Sequence, residues 1–434
     1  MPVALVAWPC PLWAQSAAFD RAEPFAIPWI AWVTWIAVFL GIFPLIVAYT
    51  VWGERKVAAR FQDRVGPNRV GPLGLLQSIA DLLKLLIKED LVPSAADRWV
   101  HLLAPILLLT SSMLGLAVIP FGVSGTSKVA PFGMERPDPA HTEGWLFPGL
   151  SAVDIPSGLL YVVAASSISS LGIFLAGWGS RNKYSLLGAM RGVAQLVSYE
   201  IPQVLALVPV ILWTGSLSLT AVFNRQLETG WFAASPPGFL AFLIFLIASL
   251  AEVNRTPFDI PEAESEIIAG YHTEYSGMRF GLFFLAEYLG MVIISSLATL
   301  LFLGGGQLPF TRFPLGDTPL PTFWANMILV PVFAIKAMGF LFLMFWIRAT
   351  LPRMRVDRLM AFAWKFLIPL SLANIVLSAI WYECVHRTGT ASYAMGWAVT
   401  LPLAMVSAWG AGRLYGAGPA SIGAAARPLG ASLP

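Results

Sequence analysis

The chain has 434 residues; 57% are hydrophobic and 12% charged, and 27 Lys and Arg stand against 24 Asp and Glu for a net charge of +3. Soluble domains carry about a quarter charged residues, so this composition, with a mean hydropathy of +0.72, excludes an ordinary soluble protein and indicates an integral membrane protein. No basic patch offers a surface to nucleic acid, and Cys10 and Cys384 exclude a disulfide framework and match no metal or iron–sulfur spacing.

The N-terminal stretch MPVALVAWPCPLWAQS is mildly apolar with no basic region, and no cleaved signal peptide is expected. A membrane-crossing helix needs roughly 20 apolar residues. Eight segments qualify: 28–51, 101–121, 155–178, 192–214, 238–254, 280–303, 323–347 and 366–384, with a further candidate at 393–411. Backbone polar groups must be satisfied within lipid, and barrel alternation is absent, so the spans are expected to be helices. The expected fold is an all-α integral membrane protein of one domain, with eight core transmembrane helices and amphipathic helices at one surface. The connections on one side of this plan hold 20 Lys and Arg and those on the other hold six, with Lys336 inside a span. Basic residues stay in the cytoplasm, so the large polar loops are expected there and the N-terminus outside.

After the first span comes GERKVAARFQDRVGPNRVGPLGLLQSIADLLKLLIKED. Lys56, Arg60 and Arg64 recur at helical spacing beside the apolar stripe Val57, Phe61 and Val65. Two Gly-Pro pairs then break the chain. A second helix is expected over 73–88, with the polar stripe Gln77, Asp81, Lys84 and Lys88. These helices suit a lipid surface, where Lys and Arg meet phosphates, and equally a docking face for a soluble partner. The rigid GPNRVGP turn favours docking.

The stretch AEVNRTPFDIPEAESE, residues 251–266, places Asp259, Glu262, Glu264 and Glu266 together with no cation among them. D-x-x-E after a Pro-rich turn is a helix start, with acids favoured at the dipole's positive end. That accounts for Asp259 and Glu262; Glu264 and Glu266 exceed it. On a helix from Ile260, Asp259, Glu262 and Glu266 share one face. Carboxylates this crowded titrate as a coupled set, which suits proton transfer. Glu200, Glu252 and Glu287 lie within or at the end of apolar segments, and Asp154 opens one. Ionisable residues in lipid are costly and functional by default; Asp154, at a span's end, also fits simple snorkelling. Lys336 is a candidate counter-ion.

The Gly-rich tail lacks G-x-G-x-x-G, and His101, His141, His272 and His386 form no zinc motif. No metal and no redox cofactor are expected on this chain.

The two quoted loop stretches resemble the two signatures of the H subunit of respiratory NADH:quinone oxidoreductase (complex I), the counterpart of mitochondrial subunit 1, and the resemblance runs over about residues 25–385. It implies a subunit of a proton-translocating enzyme with no complete active site of its own. Such a subunit anchors the hydrophilic arm and, with two arm subunits, encloses a chamber for quinone, the substrate; FMN and iron–sulfur clusters belong to partner subunits. Neighbouring membrane-arm subunits and lipid are the other partners. By this resemblance Glu200, Glu252, Asp259, Glu262, Glu264 and Glu266 form an acidic proton path, which Glu287 joins as an intramembrane acid. Arg55, Arg60, Arg64 and Arg69 line the basic rim of the quinone and docking site, with Lys56 and Phe61 on the same helix. An Ala/Gly/Pro-rich tail suggests a bacterial plasma membrane. Two other readings stay open: the membrane anchor of a related hydrogenase, and a secondary transporter, which would show inverted repeats and broken helices.

Overall fold

A computed structural model describes residues 29–121, 155–261, 267–308, 322–388 and 391–416. The regular structure among the described residues is helical. In chain order it comprises α1 (Trp29–Phe61), α2 (Gln77–Ile87), α3 (Arg98–Ala117), α4 (Gly158–Gly179), α5 (Lys183–Thr214), α6 (Leu219–Thr229), α7 (Pro236–Glu252), α8 (Gly277–Phe302), α9 (Thr322–Thr350), α10 (Val356–Phe362), α11 (Ile368–Thr388) and α12 (Ala391–Gly416). The chain divides into Met1–Ile46 and Val47–Pro434, and the candidate site lies wholly within the second unit.

Among the described residues, six helices are long and apolar enough to cross a membrane: Arg98–Ala117, Gly158–Gly179, Lys183–Thr214, Gly277–Phe302, Ile328–Thr350 and Val356–Cys384. They coincide with six of the expected spans. The segment 238–254 appears as α7, an apolar helix of 17 residues, and the described part of 28–51 falls inside α1. The segment 393–411 falls inside α12.

Local chemistry sets the boundaries. Asp97, Asn182, Ser218 and Ser235 each accept from a backbone N–H one turn into α3, α5, α6 and α7, satisfying groups that have no partner inside the helix. Gly215 ends α5 with φ 67° and donates its N–H to the Ile211 carbonyl at 2.8 Å, a left-handed stop that glycine takes without strain. Two boundaries differ from expectation. α1 runs without a break through Trp52 and Gly53 to Phe61, so the first span and the basic helix are one element; a lone glycine does not stop a helix. α5 starts at Lys183 rather than near 192, where the Asn182 side chain caps it by accepting from the Tyr184 N–H. The expected helix over 73–88 begins only at Gln77, after a turn of 3-10 helix at Pro72–Gly74. The helix expected from Ile260 falls on 262–266, outside the described residues.

The core that supports the site lies among α3, α4, α5, α8 and the turn Gly270–His272. Ala104, Leu108, Ile173, Ala189, Tyr271, Phe283 and Ala286 pack there. Glycine allows the close approaches: a Cβ at Gly177 would stand 2.3 Å from the Ala189 Cβ, and one at Gly188 would stand 2.7 Å from the Gly270 Cα. The turn carrying Tyr271 and His272 is thus seated directly on α5.

Candidate functional site

Four charged side chains from separate elements meet at one point, three of them buried and the fourth, Arg348, partly exposed. Glu54 comes from α1, Arg255 from the loop after α7, Glu287 from α8 and Arg348 from the end of α9. Arg255 Nη1 lies 3.8 Å from Glu54 Oε1, and its Nη2 lies 3.6 Å from Glu287 Oε2. Arg348 pairs with the same Glu54 oxygen. The side chains of Arg255 and Glu287 are 8% exposed and that of Glu54 is 9% exposed. One buried guanidinium, that of Arg255, therefore stands between two buried carboxylates, and the partly exposed Arg348 adds a second cation at Glu54. Desolvating each ion costs several kcal/mol, and opposite charge offsets this only where the contacts are good.

Around Arg255 the contacts are loose, whereas Arg348 approaches Glu54 closely. Separations of 3.6 and 3.8 Å are ion-pair distances, longer than charge-assisted hydrogen bonds, and Glu54 Oε2 is buried with no hydrogen-bond partner. Titratable groups surround the cluster. The Tyr271 hydroxyl donates to Glu287 Oε1 at 3.3 Å, and His272 Nε2 lies 3.9 Å from that oxygen. The Arg255 guanidinium stands over the Tyr288 ring at 4.4 Å. Nearby, burial pushes the Tyr275 phenol above its ordinary pKa, which keeps that ring neutral against His101, on which it stacks at 3.9 Å.

A cavity of about 80 Å³ opens beside the cluster. Glu287 and Tyr271 line it from the cluster side, and Glu252, Asn254, Ser166 and Ser169 line it elsewhere. One water needs roughly 10–15 Å³ of such volume and two to four polar partners, so the space suits several. Glu252 Oε2 is buried with no hydrogen-bond partner, and such a group calls for water. Gln203 and Ser166 interact with the Glu252 carboxyl, and Glu200 acts on it electrostatically. Glu200 in turn accepts a hydrogen bond from the Ser167 hydroxyl.

Three of the acids singled out in the sequence, Glu200, Glu252 and Glu287, are thus brought around one polar region. Asp259 is elsewhere: its carboxylate lies 3.4 Å from Arg353 Nη2, which also donates to the Asp259 backbone carbonyl. Glu262, Glu264 and Glu266 lie outside the described residues. The basic set is spread out. Arg55 pairs with Asp81 of α2, which also lies 4.0 Å from Lys84. Lys56 sits over the Trp52 ring at 5.8 Å. Arg60, Phe61, Arg64 and Arg69 are exposed, and Arg64 Nε donates to Gln62 at 2.8 Å. Lys336 meets carbonyls, at Leu303 and Gly305 among others, in place of the carboxylate expected of a counter-ion.

Sequence reasoning passed over Glu54, Arg348, Tyr271, His272 and Arg353. Arg255 carried a signal, as the one cation in the acidic stretch from Glu252 to Glu274. Glu54 was hidden by the Arg and Lys beside it. Nothing local marks Arg348, whose role depends on where α9 ends.

A family model described as NADH dehydrogenase matches residues 34–379. The chain is 47% identical over 353 residues to the NADH-quinone oxidoreductase H subunit of Dehalococcoides mccartyi strain CBDB1, covering 81% of this chain and 87% of that protein. It is 46% identical over 354 residues to the second H subunit of Koribacter versatilis, covering 80% and 96% of the two. It is 47% identical over 352 residues to the H subunit of Thermomicrobium roseum, covering 79% and 93%. With a family match over most of its length and relatives this similar, the chain belongs to the family of the H subunit of NADH-quinone oxidoreductase (complex I).

Proposed function

We propose that this chain encloses part of the quinone chamber of a proton-translocating NADH:quinone oxidoreductase, anchors its hydrophilic arm, and links quinone reduction to proton movement through buried carboxylates. One observation carries the reading. Glu287 and Tyr271 belong both to the ion cluster around Arg255 and to the cavity that reaches Glu252. Charge appearing at the cluster therefore has a polar connection to an acid on another helix.

Quinone reduction takes up electrons and protons, and transient negative charge builds where they arrive. Arg255 and Arg348 are the cations that would answer that charge. If they turn toward it, Glu54 and Glu287 lose part of their counter-charge and take up protons more readily. Tyr271 and His272 are placed to exchange protons with Glu287, and the cavity leads on to Glu252 and Glu200. Asp259, Glu262, Glu264 and Glu266 belong to the same path on this reading. The exposed Arg60, Phe61, Arg64 and Arg69, with Arg55 and Lys56, form the rim on which the arm sits.

In this reading α1 and α7 complete an eight-span plan with the six longer helices, within a single membrane domain. The basic loops face the cytoplasm of a bacterium, and the chain sits in its plasma membrane. FMN and iron–sulfur clusters reside in partner subunits, and this chain contributes walls and titratable groups. Arm subunits, neighbouring membrane subunits, quinone and lipid are its partners.

Glu200→Gln and Glu252→Gln test the reading, since each keeps shape and removes one titratable proton. Quinone-dependent NADH oxidation and proton uptake by vesicles are measured together, normalised to assembled complex. Both are expected to fall about a hundredfold, the lower end of the scale of a lost positioned proton carrier. Wild-type rates and proton uptake in both variants would show that these carboxylates carry no coupling.

A further inference from the structure

α4 carries four serines in the run Ser166, Ser167, Ser169 and Ser170. A serine inside an apolar helix normally spends its one proton on its own backbone, three or four residues back. Ser169 and Ser170 do this, donating to Ser166 and Ser167 carbonyls at 2.6 and 2.8 Å. The other two differ. Ser167 has two acceptors in reach, the Val163 carbonyl at 3.1 Å and the Glu200 carboxylate. Ser166 reaches the same Val163 carbonyl at 2.9 Å, interacts with the Glu252 carboxyl and lines the cavity. Two neighbouring hydroxyls therefore share one resting acceptor, and each also addresses one of two carboxyls on two other helices. Since both reach one carbonyl oxygen, the hydroxyls are close enough for a single water to bridge.

We infer that Ser166 and Ser167 are proton-relay residues, a hydroxyl bridge across which Glu200 and Glu252 exchange protons; this rests on the acidic path proposed above. A hydroxyl has one proton and two lone pairs. When Glu200 carries a proton, its O–H donates to Ser167 Oγ, and the serine proton turns away toward the Val163 carbonyl or a bridging water. Transfer then moves one proton from Glu200 onto Ser167 Oγ while the serine's own proton passes to that water. The water releases one to Ser166 in the same sense, and Ser166 releases its own to Glu252. Each hydroxyl and the water end with the protons they began with, and one proton has moved between the carboxylates. The Val163 carbonyl, with two lone pairs, holds either hydroxyl at rest and keeps both oriented.

The test uses the intact complex and the pair Ser167→Thr and Ser167→Val, which match in shape and differ in the hydroxyl. Quinone-linked NADH oxidation, proton uptake and the solvent deuterium isotope effect are read, normalised to assembled complex. Ser167→Thr is expected to stay near wild type. Ser167→Val is expected to lose about tenfold in turnover, less than an absent acid because cavity water substitutes in part, and to show a larger isotope effect. Thr and Val behaving alike overturns the bridge, because packing then explains the site. Should Ser167→Val fail to assemble, Ser167→Ala is compared with Ser167→Thr on the same readouts, and the outcomes carry the same meaning. Glu200→Gln separates the two claims. If it is impaired while Ser167→Val matches wild type, the bridge fails and the acidic path stands; if Glu200→Gln is itself normal, both fail.

Discussion

The two ends of α8 hold the polar groups of an apolar helix in opposite ways. Toward its start, Glu287 faces Arg255 at 3.6 Å and His272 at 3.9 Å, with Tyr271 donating at 3.3 Å. Past its end, Lys336 donates to the carbonyls of Leu303 at 2.7 Å, Gly305 at 2.9 Å and Gln307. Gln226 donates to the Leu300 and Leu301 carbonyls and accepts from the Gly304 N–H, all between 2.8 and 3.2 Å. The last carbonyls of any helix lack partners inside it, and a cation near that end also meets the helix dipole favourably. Lys336 and Gln226 therefore finish α8, and the Trp231 ring, 4.4 Å from the ammonium, shields the cap. Around Glu287 ions face ions at longer distances, among titratable groups. An ionisable residue in an apolar segment is thus not functional by that fact alone; the kind of partner decides. Fixed carbonyls at hydrogen-bond distance mark structure, and titratable partners at loose distance mark where the proposed proton path would run.

Removing the central cation breaks this comparison hardest. Arg255→Met keeps much of the side chain's length and leaves Glu54 with Arg348 and Glu287 with Tyr271 and His272. Breaking a buried ion pair by deleting one partner costs about 3–5 kcal/mol. Assembled complex is expected to drop steeply, and whatever assembles is expected to have almost no quinone-linked turnover. Near-normal turnover per assembled complex would mean that the cluster only holds helices together, as Lys336 does.

Lys336→Met is expected to come next. It strips a donor from three carbonyls, each costing about 1–3 kcal/mol when left buried and unsatisfied, offset where water enters. The amount of complex and its thermal midpoint should fall. Turnover per assembled complex should hold, because Glu287 lies about 24 Å along the helix from Leu303 at 1.5 Å per residue. Lost turnover with intact assembly would give Lys336 a role in proton movement and undo the contrast between the ends.

Much of this was legible in the sequence, and the missing parts have a common cause. Hydropathy and length located the apolar segments, because a span is a local property. Glu200, Glu252 and Glu287 stood out for the same reason: a carboxylate in an apolar run needs no partner to be noticed. Pairings are not local. Glu54 reads as one charge in a basic helix until α1 is seen to continue from the first span, which carries Glu54 inward to Arg255 and Arg348. Asp259 reads as a helix start, and nothing local pairs it with Arg353, far along the chain. Lys336 reads as a counter-ion until the loop after α8 presents its carbonyls. Apolar periodicity tells which residues are costly to bury, and only the packing of helices tells what they are buried against.

The smallest expected effect sharpens the contrast from outside. Arg64 belongs to the stretch that resembles the family's docking face, yet its side chain is exposed and its Nε reaches only Gln62. It desolvates nothing and leaves no buried group without a partner when removed. Arg64→Ala should therefore leave the stability of the membrane protein unchanged and turnover per assembled complex within about twofold. What it should change is the salt dependence of arm attachment, since an exposed charge at an interface contributes mainly to steering and is screened within about 10 Å at 0.1 M salt. The measurement is retention of the hydrophilic arm on washed membranes across a salt series. An arm released at lower salt in the variant supports a docking rim. An unchanged release curve with unchanged turnover would return this end of α1 to a lipid-facing role, where one arginine among several phosphate contacts is dispensable.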